Sequence, residues 1–330
     1  MHIAFLMDRP EQINPEYETT SAIMYECHRR GHFMFFLEPH DIYVRAQKVV
    51  ARMDDITVSP CASLHDYWEK ITDKCRQGQR IFKILTEIDV LFLRKDPPLN
   101  YKAMEFIAPV KEKLFIINDP AGVMMGNSKL YCMNFPEFIP ETHISRDPER
   151  IKRIIDDFGG DMIVKPLDRF GGQGVIKVST KDQENLNSLI HYYVSAYRPY
   201  PERETIMVQA YLKEVREKGD VRILMLNGEI LGAMSRKAVD GGLRTNIHAG
   251  GKPFKHEITA READICRSIG PKLVRDGLFF VGIDMIDEKL IEINCVSPGG
   301  IPRINQLSGL ELEKNLVDFL EKKAGNCFHG

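Results

Sequence analysis

In the stretch IVKPLDRFGGQGV, residues 163–175, one lysine sits inside an apolar run, directly before a proline and just ahead of a glycine-rich turn. Burying an unpaired ammonium is costly, so Lys165 calls for an anion. Gly171, Gly172 and Gly174 would let backbone N–H groups close over phosphate oxygens with no Cβ in the way. The order is lysine then glycines, the reverse of a P-loop. Alone, such a turn is more often a hairpin tip, but a second group changes that balance. In FVGIDMIDEKLIEINC, a loop of Asp287, Glu288 and Lys289 would set Ile286 against Leu290 and Asp284 against Glu292. Side chains alternate along a strand, so Asp284, Glu292 and Asn294 share one face, while Val281, Ile283, Met285, Ile291, Ile293 and Cys295 fill the other. Directly opposed carboxylates destabilise a sheet unless a cation lies between them. An all-oxygen set of this kind suits Mg2+, which takes its remaining ligands from water and nucleotide phosphates. The plainer alternative is the wetted face of a half-buried hairpin.

Other residues join this chemistry with weaker individual signals. Lys129, in GNSKLYC, falls early in an expected helix, where a cation opposes the dipole unless an anion binds beside it; otherwise it is a solvated surface lysine. The strand-like VQAYLKE presents Gln209, Ala210, Tyr211 and Leu212, whose backbone groups could pair with an adenine edge. Asp220 could accept from ribose hydroxyls or serve a turn. The long glycine-rich segment SRKAVDGGLRTNIHAGGKP carries Arg236, Arg244 and Asn246. Loops of that length are commonly lids, and a guanidinium can grip carboxylate or phosphate with paired hydrogen bonds. RKDPP and NCVSPGGIPR each end a strand-like run, and in a doubly wound sheet ligands collect outside the carboxyl ends of strands. Arg94 and Ser297 are therefore candidate substrate contacts. His28, His32 and His248 have no ligand spacing and read as structural or exposed.

The elements that must position these residues alternate. HIAFLM, FMFFLE, IDVLFLRKDPP and LFIIND read as strands, with TTSAIMYECHRRG a helix stopped at Gly31. YKAMEFIAPVKEK reads as a helix broken at Pro109. This pattern predicts a parallel sheet covered on both faces. No G-x-G-x-x-G follows the first strand, which argues against a dinucleotide-dependent dehydrogenase. RILMLNGEILGAMSR holds an Asn-Gly hairpin turn, and GLELEKNLVDFLEKK is an amphipathic helix. The 330 residues suffice for two or three domains. A formal charge of −2 leaves no basic excess for nucleic acid, and no apolar run reaches the roughly 20 residues that span a bilayer. Asp8 comes too soon for a signal peptide. The 7 cysteines show no C-x-x-C spacing, so reduced thiols and a cytoplasmic location are expected. No G-x-S-x-G elbow or Cys–His pair is signalled.

Taken in order, Lys129, Lys165, the 169–174 turn, QAYL, GDVR, Asp284 and EIN resemble an ATP-grasp ligase. MDRPEQIN, LFLRKDPP, IVKPLDRFGGQG, RTNIHAGG, FVGIDMI and IEINCVSP resemble the signature stretches of the bacterial glutathione synthetases, in order and spacing, over nearly the whole chain. The resemblance implies an α/β ATP-grasp fold: an N-terminal Rossmann-like parallel-sheet domain (1–119), a central ATP-grasp lid domain (120–200) and a C-terminal ATP-grasp domain with the metal site (201–330). It implies ATP-driven joining of γ-glutamylcysteine to glycine through an acyl phosphate. Lys129 and Lys165 would contact ATP phosphates under the glycine turn. Gln209, Ala210, Tyr211 and Leu212 would frame adenine, and Asp220 would take the ribose. Asp284, Glu292 and Asn294 would ligate Mg2+, or Mn2+. Arg222, Arg236, Asn246 and Ser297 would lie near the peptide carboxylate and the acyl phosphate, with Arg244 in a lid over residues 237–252. It further implies a homotetramer with small-molecule substrates and no nucleic-acid or membrane partner. Where the family pattern reads SPTGIRE or a close variant, this chain has SPGGIPR, beside the expected acceptor and dipeptide pocket. Three rivals follow: another ligase on this scaffold (D-alanine–D-alanine ligase-like or amino acid-adding), a nucleotide-binding regulatory protein without turnover, and a structural scaffold. Phosphate release with varied donors and acceptors, and an ATP-dependent thermal shift, separate them.

Overall fold

The structure is a computed structural model that describes residues 1–330 except 168, 170, 182, 196, 200, 201, 240–244, 246–249 and 328–330. Its described residues form three sheets. The first contains β1 (His2–Met7), β2 (Phe33–Leu37), β3 (Ile42–Arg45), β4 (Lys48–Asp55), β5 (Arg80–Ile84), β6 (Val90–Arg94) and β7 (Phe115–Ile117). Around it in sequence lie α1 (Thr19–Arg29), α2 (Leu64–Gln77), α3 (Tyr101–Ile107) and α4 (Pro120–Gly126). The second sheet contains β8 (Thr142–Ser145), β9 (Asp161–Pro166), β10 (Ile176–Ser179) and β11 (Ile206–Ala210), with α5 (Pro148–Phe158) and α6 (Gln183–Tyr193). The third contains β12 (Asp220–Leu226), β13 (Glu229–Lys237), β14 (Lys252–Lys255), β15 (Phe280–Ile286) and β16 (Lys289–Asn294), with α7 (Ala260–Arg275), α8 (Ile301–Ser308) and α9 (Leu312–Cys327).

In the first sheet β2, β1, β6 and β7 are parallel neighbours, as the alternating pattern predicts. β3, β4 and β5 extend it antiparallel, which departs from the all-parallel expectation. Their hairpin turns at Ala46 and Gln47, both with positive φ. Neither residue is the glycine or asparagine that normally marks such a turn, so the extension carried no local signal. The Asn227–Gly228 turn between β12 and β13 does have the expected left-handed pair.

Two apolar cores run through the first and third sheets together. Ala4 and Leu6 of β1 share one core with Ile223 and Met225 of β12 and with Val281, Ile283 and Met285 of β15. Ile3, Phe5 and Met7 point to the opposite core, with Leu224, Phe280 and Leu316. Asn118, at the end of β7, seals the junction: its Nδ2 donates to Phe280 O at 2.7 Å and Cys295 O at 2.8 Å, and Phe280 N donates back to its Oδ1 at 2.8 Å. The second sheet has a separate core. There Ile151 and Ile155 of α5 and Leu186 and Ile190 of α6 pack on Met162, Val164, Val178, Ile206 and Val208. Alternation then leaves the other face of β9 and β11 free for Ile163, Lys165 and Gln209.

Candidate functional site

Ile163, Lys165 and Gln209 face a cleft with about 920 Å3 of empty space, walled on the far side by Asp284, Ile286, Ile291 and Glu292 of the β15–β16 hairpin. Lys165 is only 4% exposed. Its Nζ donates to Gln209 Oε1 at 2.9 Å, and Gln209 Nε2 donates onward to Thr142 Oγ1 at 2.8 Å. Burial lowers the Lys165 ammonium from its ordinary value, and the Glu292 carboxylate only partly restores it. The ammonium has no carboxylate partner within ion-pair distance among the described residues, so it faces the cleft in need of an anion.

Lys129 opens a short 3-10 turn and is buried rather than solvated. Its Nζ lies 3.5 Å from Glu292 Oε1 and donates to the backbone carbonyl of Arg169 in the glycine turn. Lys129 thus ties the turn to the acidic hairpin. Gly171, Gly172 and Gly174 all adopt positive φ. At Gly174 a Cβ would come 2.9 Å from Pro166 Cγ, so that position needs glycine for space as well as for conformation. Gly172, Ala210, Tyr211 and Leu212 line the same cleft. The Tyr211 ring carries Lys177 Nζ at 4.7 Å from its centroid.

The hairpin turn differs from expectation. Asp287 and Glu288, both with positive φ, form a two-residue turn, so Ile286 pairs with Lys289 and Met285 with Leu290. A bulge at Ile291 then restores the pairing of Asp284 with Glu292. The expected face-sharing of the two carboxylates therefore stands, while Ile291 moves to the cleft and Leu290 takes its place in the core.

Register across the third sheet sets Arg222 beside Asp284 and Asp220 beside Arg236. Arg222 donates to Asp284 through Nε at 2.5 Å and NH2 at 2.9 Å, and through NH1 to Gly299 O at 3.1 Å. Arg236 donates through Nε to Asp220 Oδ1 at 3.0 Å, through NH2 to Asp220 Oδ2, and through the same NH2 to Asp284 Oδ1 at 2.9 Å. Burial raises the Asp220 carboxyl, and Arg236, with a smaller effect from Thr245, works against that shift. Burial alone would raise the Asp284 carboxyl, but Arg222 and Arg236 outweigh it and bring it to about 2. Gly282 makes room for this fork, since a Cβ there would sit 3.0 Å from Arg222 NH1.

The donor set fits a hard divalent cation: two opposed carboxylates and the amide oxygen of Asn294, whose Nδ2 donates to Asp284 Oδ2 at 3.1 Å. Glu292 retains 31% side-chain exposure on the cleft side. A different trio, Glu38, His40 and Asp41, also brings ligand atoms within 4.8 Å of one another. Asp41 there is held by Arg52 at 2.9 Å and Arg80 at 2.8 Å, as Asp284 is held by Arg222 and Arg236, but this trio lies away from the cleft that holds Lys129 and Lys165.

Arg94 and Ser297 lie together outside the cleft, at the carboxyl end of β6. Ser297 Oγ donates to Arg94 O at 3.4 Å; Arg94 donates to Thr20 Oγ1 at 2.9 Å and Pro298 O at 3.1 Å. Arg94 is 3% exposed, has no carboxylate partner within 4.0 Å among the described residues, and is lowered by burial to about 10. Arg244 and Asn246 lie outside the described residues. Sequence reasoning missed Arg169, Thr245 and Ile163 as cleft residues. Ile163 had a signal, standing two positions before Lys165 on the same strand face.

Family models for the prokaryotic glutathione synthetase N-terminal domain and ATP-grasp domain match residues 1–124 and 128–309. The chain is 36% identical to the glutathione synthetase of Gloeobacter violaceus, covering 97% of this chain and 96% of that one. It is 34% identical to that of Mesorhizobium japonicum, covering 98% and 99%. Among solved structures, a Chryseobacterium gregarium RiPP-associated ATP-grasp ligase superposes with TM-score 0.64 at 14% identity over 98% of this chain and 97% of its own. The D-cycloserine synthetase DcsG gives 0.61 at 12% over 97% and 100%. At those identities the structural likeness bears on fold alone.

Proposed function

The chain belongs to the prokaryotic glutathione synthetases, ATP-dependent ligases on the ATP-grasp fold, and from this premise we propose how its residues divide the work. It joins γ-L-glutamyl-L-cysteine to glycine, converting ATP to ADP and phosphate, with a divalent metal. Phosphoryl transfer to a carboxylate requires alignment and charge neutralisation rather than covalent help from the protein. In our reading Lys129 and Lys165 neutralise the phosphates, and the turn at Gly171, Gly172 and Gly174 closes above them. Gln209, Ala210, Tyr211 and Leu212 frame adenine, and Asp220 takes the ribose through lone pairs that Arg236 leaves open. Asp284, Glu292 and Asn294 would hold Mg2+, with Mn2+ as a substitute, and the ion would supply positive charge against that of the phosphates.

In this reading the dipeptide carboxylate would lie toward Arg222 and Arg236, and Arg94 and Ser297, together at the carboxyl end of β6 outside the cleft, would be substrate contacts. Attack by the glycine amine on the acyl phosphate passes through a tetrahedral centre that the guanidinium groups stabilise. Water would destroy the acyl phosphate, so residues 237–252, with Arg244 and Asn246, are assigned as a lid that closes first. Arg244→Ala is expected to lower glutathione formation and uncouple ATP hydrolysis from it. If both stay unchanged, the lid role is abandoned.

We propose the division at 1–119, 120–200 and 201–330; the separate core of the second sheet supports a distinct middle unit, although β11 joins that sheet from beyond 200 and Val123, Tyr131 and Phe135 pack in the core shared by the first and third sheets. Self-association is supported by the exposed apolar side chains Val44, Ile81 and Phe82 on β3 and β5; four copies is what the resemblance implies, and light scattering tests it. No helix among the described residues is long and apolar enough to cross a membrane. A cytoplasmic location is supported by the free thiols of Cys27, Cys61, Cys75, Cys132, Cys266 and Cys295. The observation that carries the site reading is the meeting of Lys129, Lys165, the glycine turn and the Asp284–Glu292 pair on one cleft. Phosphate release with ATP, Mg2+ and γ-glutamylcysteine, with and without glycine, tests it. Release without either substrate, or only with other donors, would overturn it.

A further inference from the structure

Every lone-pair position of Asp284 is filled. Oδ1 accepts from Arg222 Nε at 2.5 Å and Arg236 NH2 at 2.9 Å. Oδ2 accepts from Arg222 NH2 at 2.9 Å and Asn294 Nδ2 at 3.1 Å. An ionised carboxylate offers about four such positions, and Asp284 is buried. A cation that takes Asp284 as a ligand must therefore displace donors, and two guanidinium charges on the same carboxylate oppose its entry.

The two charged donors are not equally bound. Arg222 grips Asp284 with both arms of its fork and is fastened by Gly299 O; releasing Asp284 would leave it without a carboxylate among the described residues. Arg236 reaches Asp284 with one nitrogen only, while Nε and NH2 hold Asp220. It can let Asp284 go and still keep a two-armed carboxylate partner, the strong form of this contact. We propose that Arg236 is an exchangeable counter-cation of Asp284: a divalent ion entering the acidic hairpin pushes Arg236 onto Asp220, and Asp220 is the positioning residue that sets how readily this happens. This rests on the reading that Asp284 and Glu292 are the metal site.

The test is Mn2+ binding to the full chain, followed by electron paramagnetic resonance without nucleotide or substrate. Arg236→Lys keeps the charge but loses the fork that spans both carboxylates, and is expected to tighten Mn2+ about tenfold. Asp220→Asn, which leaves Arg236 only Asp284 as a charged partner, is expected to weaken it about tenfold. Unchanged affinity in Arg236→Lys would mean that only the net field matters and would overturn the exchange. Should Asp220→Asn fail to fold, judged by near-UV circular dichroism, the charge-conserving lysine variant still decides. Asp284→Asn separates the two levels. If it binds Mn2+ as tightly as wild type, the metal assignment itself is wrong. If it loses Mn2+ while Arg236→Lys is unaltered, only the exchange fails.

Discussion

Lys165 and Gln209 are bonded, Nζ to Oε1 at 2.9 Å, across adjacent strands of the second sheet, and this neutral amide is the ammonium's hydrogen-bond partner among the described residues. Burial therefore holds Lys165 below its ordinary value. A phosphate arriving beside it would restore that value. Between the lowered value and about 10.4, nucleotide binding should take up a proton. Calorimetry in two buffers of different ionisation enthalpy checks this, and Lys165→Met should abolish the uptake. The same shift makes the free protein more stable as pH rises through that window, because the unfolded chain then binds more protons.

Asp284 gives the opposite limb. Its carboxyl falls to about 2 in the folded protein, against about 3.9 unfolded. Its contribution, of the order of 2–3 kcal/mol, is complete above the unfolded value and is lost as pH falls toward 2. Urea unfolding at a series of acidic pH values should show this loss, and Asp284→Asn should flatten that limb.

Gly282 is the gap through which Arg222 reaches Asp284, with a Cβ at 3.0 Å from NH1. Gly282→Ala should push the fork aside and lower kcat about ten- to a hundredfold, with only a small change in Tm. An unchanged kcat would show that the fork's position is not critical.

Asn118→Ala should act on stability instead. It strands the backbone N–H and carbonyl of Phe280 and the carbonyl of Cys295 in a buried junction, a loss of about 2–4 kcal/mol. Urea unfolding measures it, and a loss below about 1 kcal/mol would show that the junction relaxes.

The legible parts of the site were local. Lys165 and its glycine turn lie within ten residues, and Asp284 and Glu292 share a hairpin. Their pairing was found with the wrong turn, because a two-residue turn and a bulge at Ile291 give the same opposition as a three-residue loop. What stayed hidden depends on distant register. Nothing near Arg222 announces that it will lie beside Asp284, 62 positions away. The burial of Lys129 likewise comes from its turn packing on β16, a contact that no helical periodicity encodes.

The independent packing of β8–β11 with α5 and α6 has a mechanical consequence. One cationic jaw, bearing Lys165, can pivot as a unit from the jaw bearing Asp284 without melting either. Separation by a few ångströms would part Lys165 from the Asp284–Glu292 pair while every fold element persists. A rigid wedge lodged between the jaws would arrest the enzyme without touching a single reacting atom.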